Sequence, residues 1–253
     1  MKLIEKHLAR LKGRTAWITG GKRLGCTVAR LLAECGANVV VSYRSSANVA
    51  QQTAEEARRL GVRALAVEAD VSSRESVAVA VERVRADFPE IDILINMASV
   101  YKLTAVGEVS AEDWDANIGA HILGTFWPVQ LIAPLMPRGG HIVNVADATS
   151  IGRPQRRNLP YVVTKAAVAA MTREMALEYG SRGSFVNALA PGPILPPEDF
   201  PADVWRHIRE RSPVKVAITD EEAVEQFALL TLYLCLTTMS SGHVYPLDQG
   251  QNL

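Results

Sequence analysis

Charge imbalance is missing from this chain of 253 residues, in which 27 Lys and Arg balance 27 Asp and Glu for a formal net charge of zero. No global field is available to gather nucleic acid or an anionic membrane surface, so the expected partners are small molecules. Cysteine is scarce. Cys26, Cys35 and Cys235 are odd in number, lack metal-ligand spacing and fall within apolar helical patterns. That excludes a disulfide framework and a zinc site, and suits reduced, buried thiols in a cytoplasmic protein. His7, His121, His141, His207 and His243 show no metal-ligand spacing either and read as structural, so no metal is expected. No apolar stretch of membrane length is apparent, and Met1 to Lys12 alternates charge with leucine where a secretory signal would be continuously apolar. Internal repeats and low-complexity segments are also lacking.

Short apolar runs rich in β-branched residues recur between longer helical patterns, at Thr15–Thr19, Asn38–Tyr43, Arg63–Glu68, Ile91–Asn96, His141–Val145, Phe185–Leu189 and Gly242–Leu247. Continuous runs of this length are the pattern of strands buried on both faces, and the intervening segments are long enough for crossover helices. Capping boxes are expected at Ser72 to Glu75 and Thr219 to Glu222. The expected fold is α/β, a single-domain Rossmann-type doubly wound parallel sheet of about seven strands with helices on both faces. One domain spans 1–253, with 1–11 as an N-terminal extension and 191–215 as a loop and helices covering the substrate. The proline-rich stretch Pro191 to Pro197 opens that covering segment.

Ligands on such sheets bind beyond the carboxyl ends of the strands, and the polar residues cluster there. The first strand runs into Thr19-Gly20-Gly21-Lys22-Arg23-Leu24-Gly25. Glycines at a strand-to-helix turn let backbone approach a pyrophosphate while amides at the helix start supply donors, although an ordinary tight turn looks similar. A carboxylate for the adenosine ribose is absent after the second strand, which ends in Ser42-Tyr43-Arg44-Ser45-Ser46. Arg44, with Lys22 or Arg23 and the hydroxyls of Ser45 and Ser46, is suited to a 2′-phosphate, which favours NADP over NAD; solvated surface cations are the alternative. Tyr161 and Lys165, four apart at the start of an apolar-periodic helix, share one helix face. The ammonium is then expected to favour the phenolate and lower the tyrosine's pKa.

Taken jointly, the glycine loop, Asp70-Val71, Asn96-Met97-Ala98-Ser99, Asn117, Tyr161-x-x-x-Lys165 and Asn187 to Gly192 resemble the short-chain dehydrogenase/reductase family from about Leu11 to the C-terminus. The resemblance implies that Asp70 and Val71 contact the adenine region, that Asn96 and Ala98 line the cofactor, and that Pro191, Gly192 and Ile194 cover the nicotinamide. Lys165 holds the nicotinamide ribose, and Asn117 holds a water linking the lysine to a proton relay. Three departures stand out: the glycine loop is one residue short, Asp147 stands where the family usually has serine, and Asp248-Gln249-Gly250 replaces Asp-Gly-Gly. An acid at that position, a Lys-Arg-Leu-Gly run and an aromatic two residues after Ser99, here Tyr101, resemble the pteridine reductase branch. That likeness places Ser99, Tyr101 and Asp147 at the substrate, with Tyr101 stacking on a flat heterocycle or else closing the core as a loop aromatic.

The expected activity is NADPH-dependent hydride transfer to a carbonyl or imine carbon, with Tyr161 as acid and base and a pteridine or dihydrofolate-like substrate. A ketone, 3-oxoacyl or quinone reductase is the alternative, and a non-catalytic NADP-binding redox sensor is the alternative of another class. Asp147 is expected in the proton path, with Thr149 and Ser150 as substitutes and a cap or loop role as the plain reading. Arg153, Arg156 and Arg157 are either within reach of a substrate carboxylate or on a solvated or intersubunit surface. Family likeness implies a homotetramer.

Overall fold

Alternation inside the apolar strands sorts the core into two layers. Ala16, Ile18, Val39, Val41, Ile93 and Ile95 face one side, while Trp17, Val40 and Leu94 face the other, all nearly or wholly excluded from solvent. Full burial of each large side chain contributes about 1.5–3 kcal/mol, so both faces demand cover. In the computed structural model, which describes residues 2–153, 156–197 and 200–251, helices supply it. Strands β1 (Thr15–Thr19), β2 (Asn38–Tyr43), β3 (Ala64–Glu68), β4 (Ile93–Asn96), β5 (His141–Val145), β6 (Phe185–Pro191) and β7 (Val244–Leu247) form one sheet in the order β3-β2-β1-β4-β5-β6-β7. Every pairing is parallel.

The helices are α1 (Lys2–Leu8), α2 (Leu24–Glu34), α3 (Ala47–Arg59), α4 (Arg74–Arg85), α5 (Ala111–Asn117), α6 (Gly124–Ile132), α7 (Leu159–Gly180), α8 (Ala202–Glu210) and α9 (Asp220–Leu234). α2 and α9 bring Val28, Leu32 and Phe227 to the first layer, whereas α4, α6 and α7 bring Val81, Ile132 and Met175 to the second. Thr219 and Glu222 form the expected reciprocal capping box at α9. At α4 the cap moves by one residue: Ser73 accepts from the Ser76 amide, so Glu75 is too early in the helix to close a box.

A π-helical turn, Ile118–Leu123, joins α5 to α6. The resulting helical run, Ala111–Leu135, corrects the expectation that no stretch reaches membrane length, because it is 25 residues long and 18 consecutive residues of it have a mean hydropathy of 1.3, which meets that test by length and composition. Its Val129 and Ile132 are fully buried in the second layer, as in a core helix. The thiols also differ from expectation: Cys235 is buried, but Cys26 and Cys35 are only half-buried.

Candidate active site

The chain order of the sheet reverses between β1 and β4, opening a crevice beyond their carboxyl ends. A cavity of about 770 Å³ occupies it. The wall beside β1 depends on missing side chains. A Cβ on Gly20, whose φ is +75°, would lie 2.7 Å from the Ala98 Cα; one on Gly21 would lie 2.1 Å from Val41 Cγ1; and one on Gly25 would lie 2.7 Å from the Gly20 carbonyl oxygen. The shortened loop closes through Arg23, which takes φ 62° at the N-cap of α2 without a side-chain capping bond. Leu24, the first residue of α2, lines the cavity, so the unbonded amides of that first turn are available beside it as anion donors.

Gly20, Lys22, Arg23, Leu24, Arg44, Ser45, Asp70 and Val71 all line this end of the cavity. Burial pushes the Asp70 carboxyl up, but hydrogen bonds from the Ser72 hydroxyl at 2.6 Å and amide at 2.9 Å, with the charge of Arg44, outweigh it and leave its pKa below the usual value. The cations and hydroxyls beyond β2, with no carboxylate on that strand end, fit a 2′-phosphorylated dinucleotide.

Three elements meet at the opposite end. β5 delivers Asp147, whose Oδ1 accepts from the Thr149 amide at 2.8 Å and hydroxyl at 2.6 Å. Tyr161, on the first turn of α7, donates its hydroxyl to Asp147 Oδ2 at 2.8 Å. Asp147 is thus both a local cap and a partner of the phenol. Ser150 donates to the Asp147 carbonyl at 2.6 Å and is not among the cavity-lining residues, whereas Thr149 is.

The expectation that Lys165 lowers the tyrosine's pKa is reversed. Burial, then the Asp147 charge and hydrogen bond, hold the Tyr161 phenol well above its ordinary value. Lys165 is 2% exposed and donates to the Val145 carbonyl at 2.7 Å, with Nζ 5.9 Å from the centre of the phenol ring. Burial lowers its pKa to about 8 against the opposing pull of Asp147. Tyr161 therefore stands as a protonated donor.

Of the other expected residues, Ala98, Ser99, Tyr101, Pro191, Gly192 and Ile194 line the cavity. Tyr101 is 45% exposed and meets Tyr161 edge-on at 4.9 Å, so it borders the site and does not close the core. Asn96 does not line the cavity; its amide donates to Asn144 Oδ1 at 3.0 Å. Asn117 is also absent from the cavity wall, because its side chain turns back to the Asp113 carbonyl at 2.8 Å. The π-helical turn places His121 against the site instead. Its ring lies 5.3 Å from that of Tyr161, Nδ1 is 2.8 Å from the Thr164 hydroxyl, and Nε2 is 2.9 Å from the Ser99 hydroxyl. Thr164 donates to the carbonyls of Pro160 and Tyr161, so its oxygen accepts from His121 Nδ1. Burial, then the charge of Lys165, lowers the His121 pKa to about 2, which keeps the ring neutral. A lone histidine carries no spacing signal, which is why sequence reasoning missed it. Arg153, Arg156 and Arg157 are exposed and line no part of the cavity.

Switch-point crevice, phosphate loop and buried tyrosine together define an oxidoreductase that works with a nicotinamide dinucleotide. A family model described as enoyl-(acyl carrier protein) reductase matches residues 21–252. The chain is 35% identical over 186 residues to the 3-oxoacyl-(acyl-carrier-protein) reductase FabG of Staphylococcus epidermidis, covering 72% of this chain and 75% of that one. It is 32% identical over 188 residues to glucose 1-dehydrogenase 2 of Bacillus subtilis, covering 73% of each. A short-chain dehydrogenase from Burkholderia cenocepacia, solved in complex with NADP, superposes with a TM-score of 0.88 at 29% identity over 96% of this chain and 100% of that one. The chain belongs to the short-chain dehydrogenase/reductase family.

Proposed function

We propose that the protein reduces an electrophilic C=N or C=O carbon in a small, flat heterocycle of the pteridine or dihydrofolate kind. Its cofactor is NADP(H), which supplies the hydride when bound. The observation that carries the substrate reading is the Tyr161–Asp147 hydrogen bond of 2.8 Å beside the half-exposed ring of Tyr101. A carboxylate accepting from the phenol keeps it protonated until a substrate heteroatom competes for the same proton. Tyr161 then gives its proton directly to a carbonyl oxygen, or by way of Asp147 to a ring nitrogen, wherever negative charge develops. Lys165, charged below about pH 8, stabilises the phenolate left behind. Asp147 carries a proton between Tyr161 and a ring nitrogen, while Tyr101 and Ser99 orient the heterocycle. Gly20, Leu24, Asp70, Val71, Ala98 and Gly192 border the dinucleotide, and Arg44, Lys22, Arg23 and Ser45 bind its 2′-phosphate.

A second reading, reduction of a 3-oxoacyl group, is supported by the likeness to the Staphylococcus reductase. In that case Asp147 acts only by orienting Tyr161. Likeness to the family also supports a cytoplasmic homotetramer built through α7 and through α9 with β7; Val163 and Leu177 on α7 and Tyr233 on α9 are exposed. NADPH oxidation should be followed with dihydropterins, dihydrofolate, quinones, ketones and 3-oxoacyl thioesters, with Tyr161→Phe as control. Turnover of the dihydropterins or dihydrofolate that disappears in the control is expected. Turnover confined to 3-oxoacyl thioesters would replace the heterocycle reading, and NADPH binding with no turnover would favour a sensor.

A further inference from the structure

The segment proposed to cover the nicotinamide is gathered by one guanidinium. Arg209, near the end of α8, donates through Nε to the Pro193 carbonyl at 3.3 Å, through Nη2 to the Ile194 carbonyl at 2.7 Å and through Nη1 to the Ile218 carbonyl at 2.8 Å. Nη1 also lies 3.0 Å from Asp220 Oδ1 at the start of α9, and the guanidinium stands 5.3 Å from the centre of the Trp205 ring. Trp205 in turn donates to Asp220 Oδ1 at 3.3 Å. The arginine side chain is 15% exposed, so these contacts are largely shielded from water. Pro193, Ile194, Trp205 and Ile208 line the cavity. One planar fork therefore joins the loop after β6, the helix α8 and the entry to α9. A lysine ammonium, a point donor on a flexible stem, does not match that spread of acceptors.

We propose that Arg209 is a positioning residue, which fastens residues 193–197 and the helix α8 over the cofactor and couples NADPH binding to closure of the substrate end. The inference rests on the reading of this segment as the cover, but not on the identity of the substrate. Loss of the fork should weaken NADPH binding by about tenfold or more.

The test uses Arg209→Gln, Arg209→Lys and Asp220→Asn in the full chain. NADPH affinity is measured by cofactor fluorescence, and closure by chymotryptic cleavage at Phe200 and Trp205 with and without NADPH. For wild type and Asp220→Asn, which keeps the three carbonyl bonds, the expected result is protection by NADPH and affinities within about threefold of each other. Arg209→Gln should bind NADPH at least about tenfold more weakly and lose the protection. Arg209→Lys should follow it, because the charge survives but the fork does not. Wild-type affinity and protection in a folded Arg209→Gln protein would overturn the proposal. If the glutamine variant fails to fold, wild-type behaviour of Arg209→Lys overturns it equally. No readout needs turnover, so a mistaken substrate leaves the result intact.

Discussion

Replacing Asp147 by Asn should make Tyr161 a stronger acid while weakening catalysis on a C=N bond. The carboxylate accepts from the phenol at 2.8 Å, and it is the first cause after burial of the raised Tyr161 pKa. Asparagine keeps an oxygen for the two Thr149 donors and turns an NH₂ group towards the phenol, so the bond at Tyr161 reverses and now favours the phenolate. A hydrogen bond to a charged group contributes about 1.5–3 kcal/mol, and one pKa unit corresponds to about 1.36 kcal/mol. The phenol pKa should therefore fall by about one to two units. Difference absorbance of tyrosinate measures it, with each protein referenced to its Tyr161→Phe counterpart so that the other tyrosines cancel. In parallel, kcat for a C=N substrate should fall by about 10²–10⁴, the usual contribution of positioned proton transfer. An unchanged or higher phenol midpoint in Asp147→Asn would refute the electrostatic reasoning, whatever happened to turnover.

Arg44→Ala should weaken NADPH binding by about 10- to 100-fold, the worth of one charge-assisted contact to a phosphate, while NADH binding stays within about threefold; isothermal titration with both dinucleotides measures the contrast, and equal losses would remove the 2′-phosphate from Arg44. A second expectation concerns pH. His141, fully buried at the start of β5 with Nε2 2.9 Å from the Thr237 carbonyl, has its pKa lowered from 6.5 to about 4, chiefly by burial. Its contribution is complete above pH 6.5 and is lost as pH falls towards 4, because the unfolded chain takes up the proton first. Over about 2.5 pH units at about 1.36 kcal/mol each, the loss approaches about 3 kcal/mol. Urea unfolding from pH 7 to 4 should show that slope in wild type and a shallower one in His141→Gln; equal slopes would assign the acid sensitivity elsewhere.

The sheet was legible because buried parallel strands leave unbroken apolar runs. β1, β2 and β5 begin and end where the sequence places them, whereas β6 continues two residues further, to Pro191. That extension follows from the parallel pairing of Ala190 and Pro191 with β7, a long-range contact that no local run encodes. Much of the cavity wall was legible too, since Gly20, Arg44 and Asp70 cluster at strand ends. The proton machinery was less so. Spacing placed Tyr161 and Lys165 on one helix face, but only the folded chain shows the lysine bound to the Val145 carbonyl and the phenol bound to Asp147. Asn117 and His121 differ by one turn of an ordinary helix, and the π-helical turn that separates their directions has no sequence period of its own.

The missing side chain of Gly20, whose Cβ would lie 2.7 Å from the Ala98 Cα, ties two distant stretches of the gene to a common fate. Bulk added at the first position must be matched by retreat at the second, and that retreat would carry Ser99 and Tyr101 with it. Because the atoms that would be struck are backbone and Gly20 holds φ +75°, no change of the residue-98 side chain makes room, and libraries that diversify residue 20 should retain few functional members whatever stands at 98.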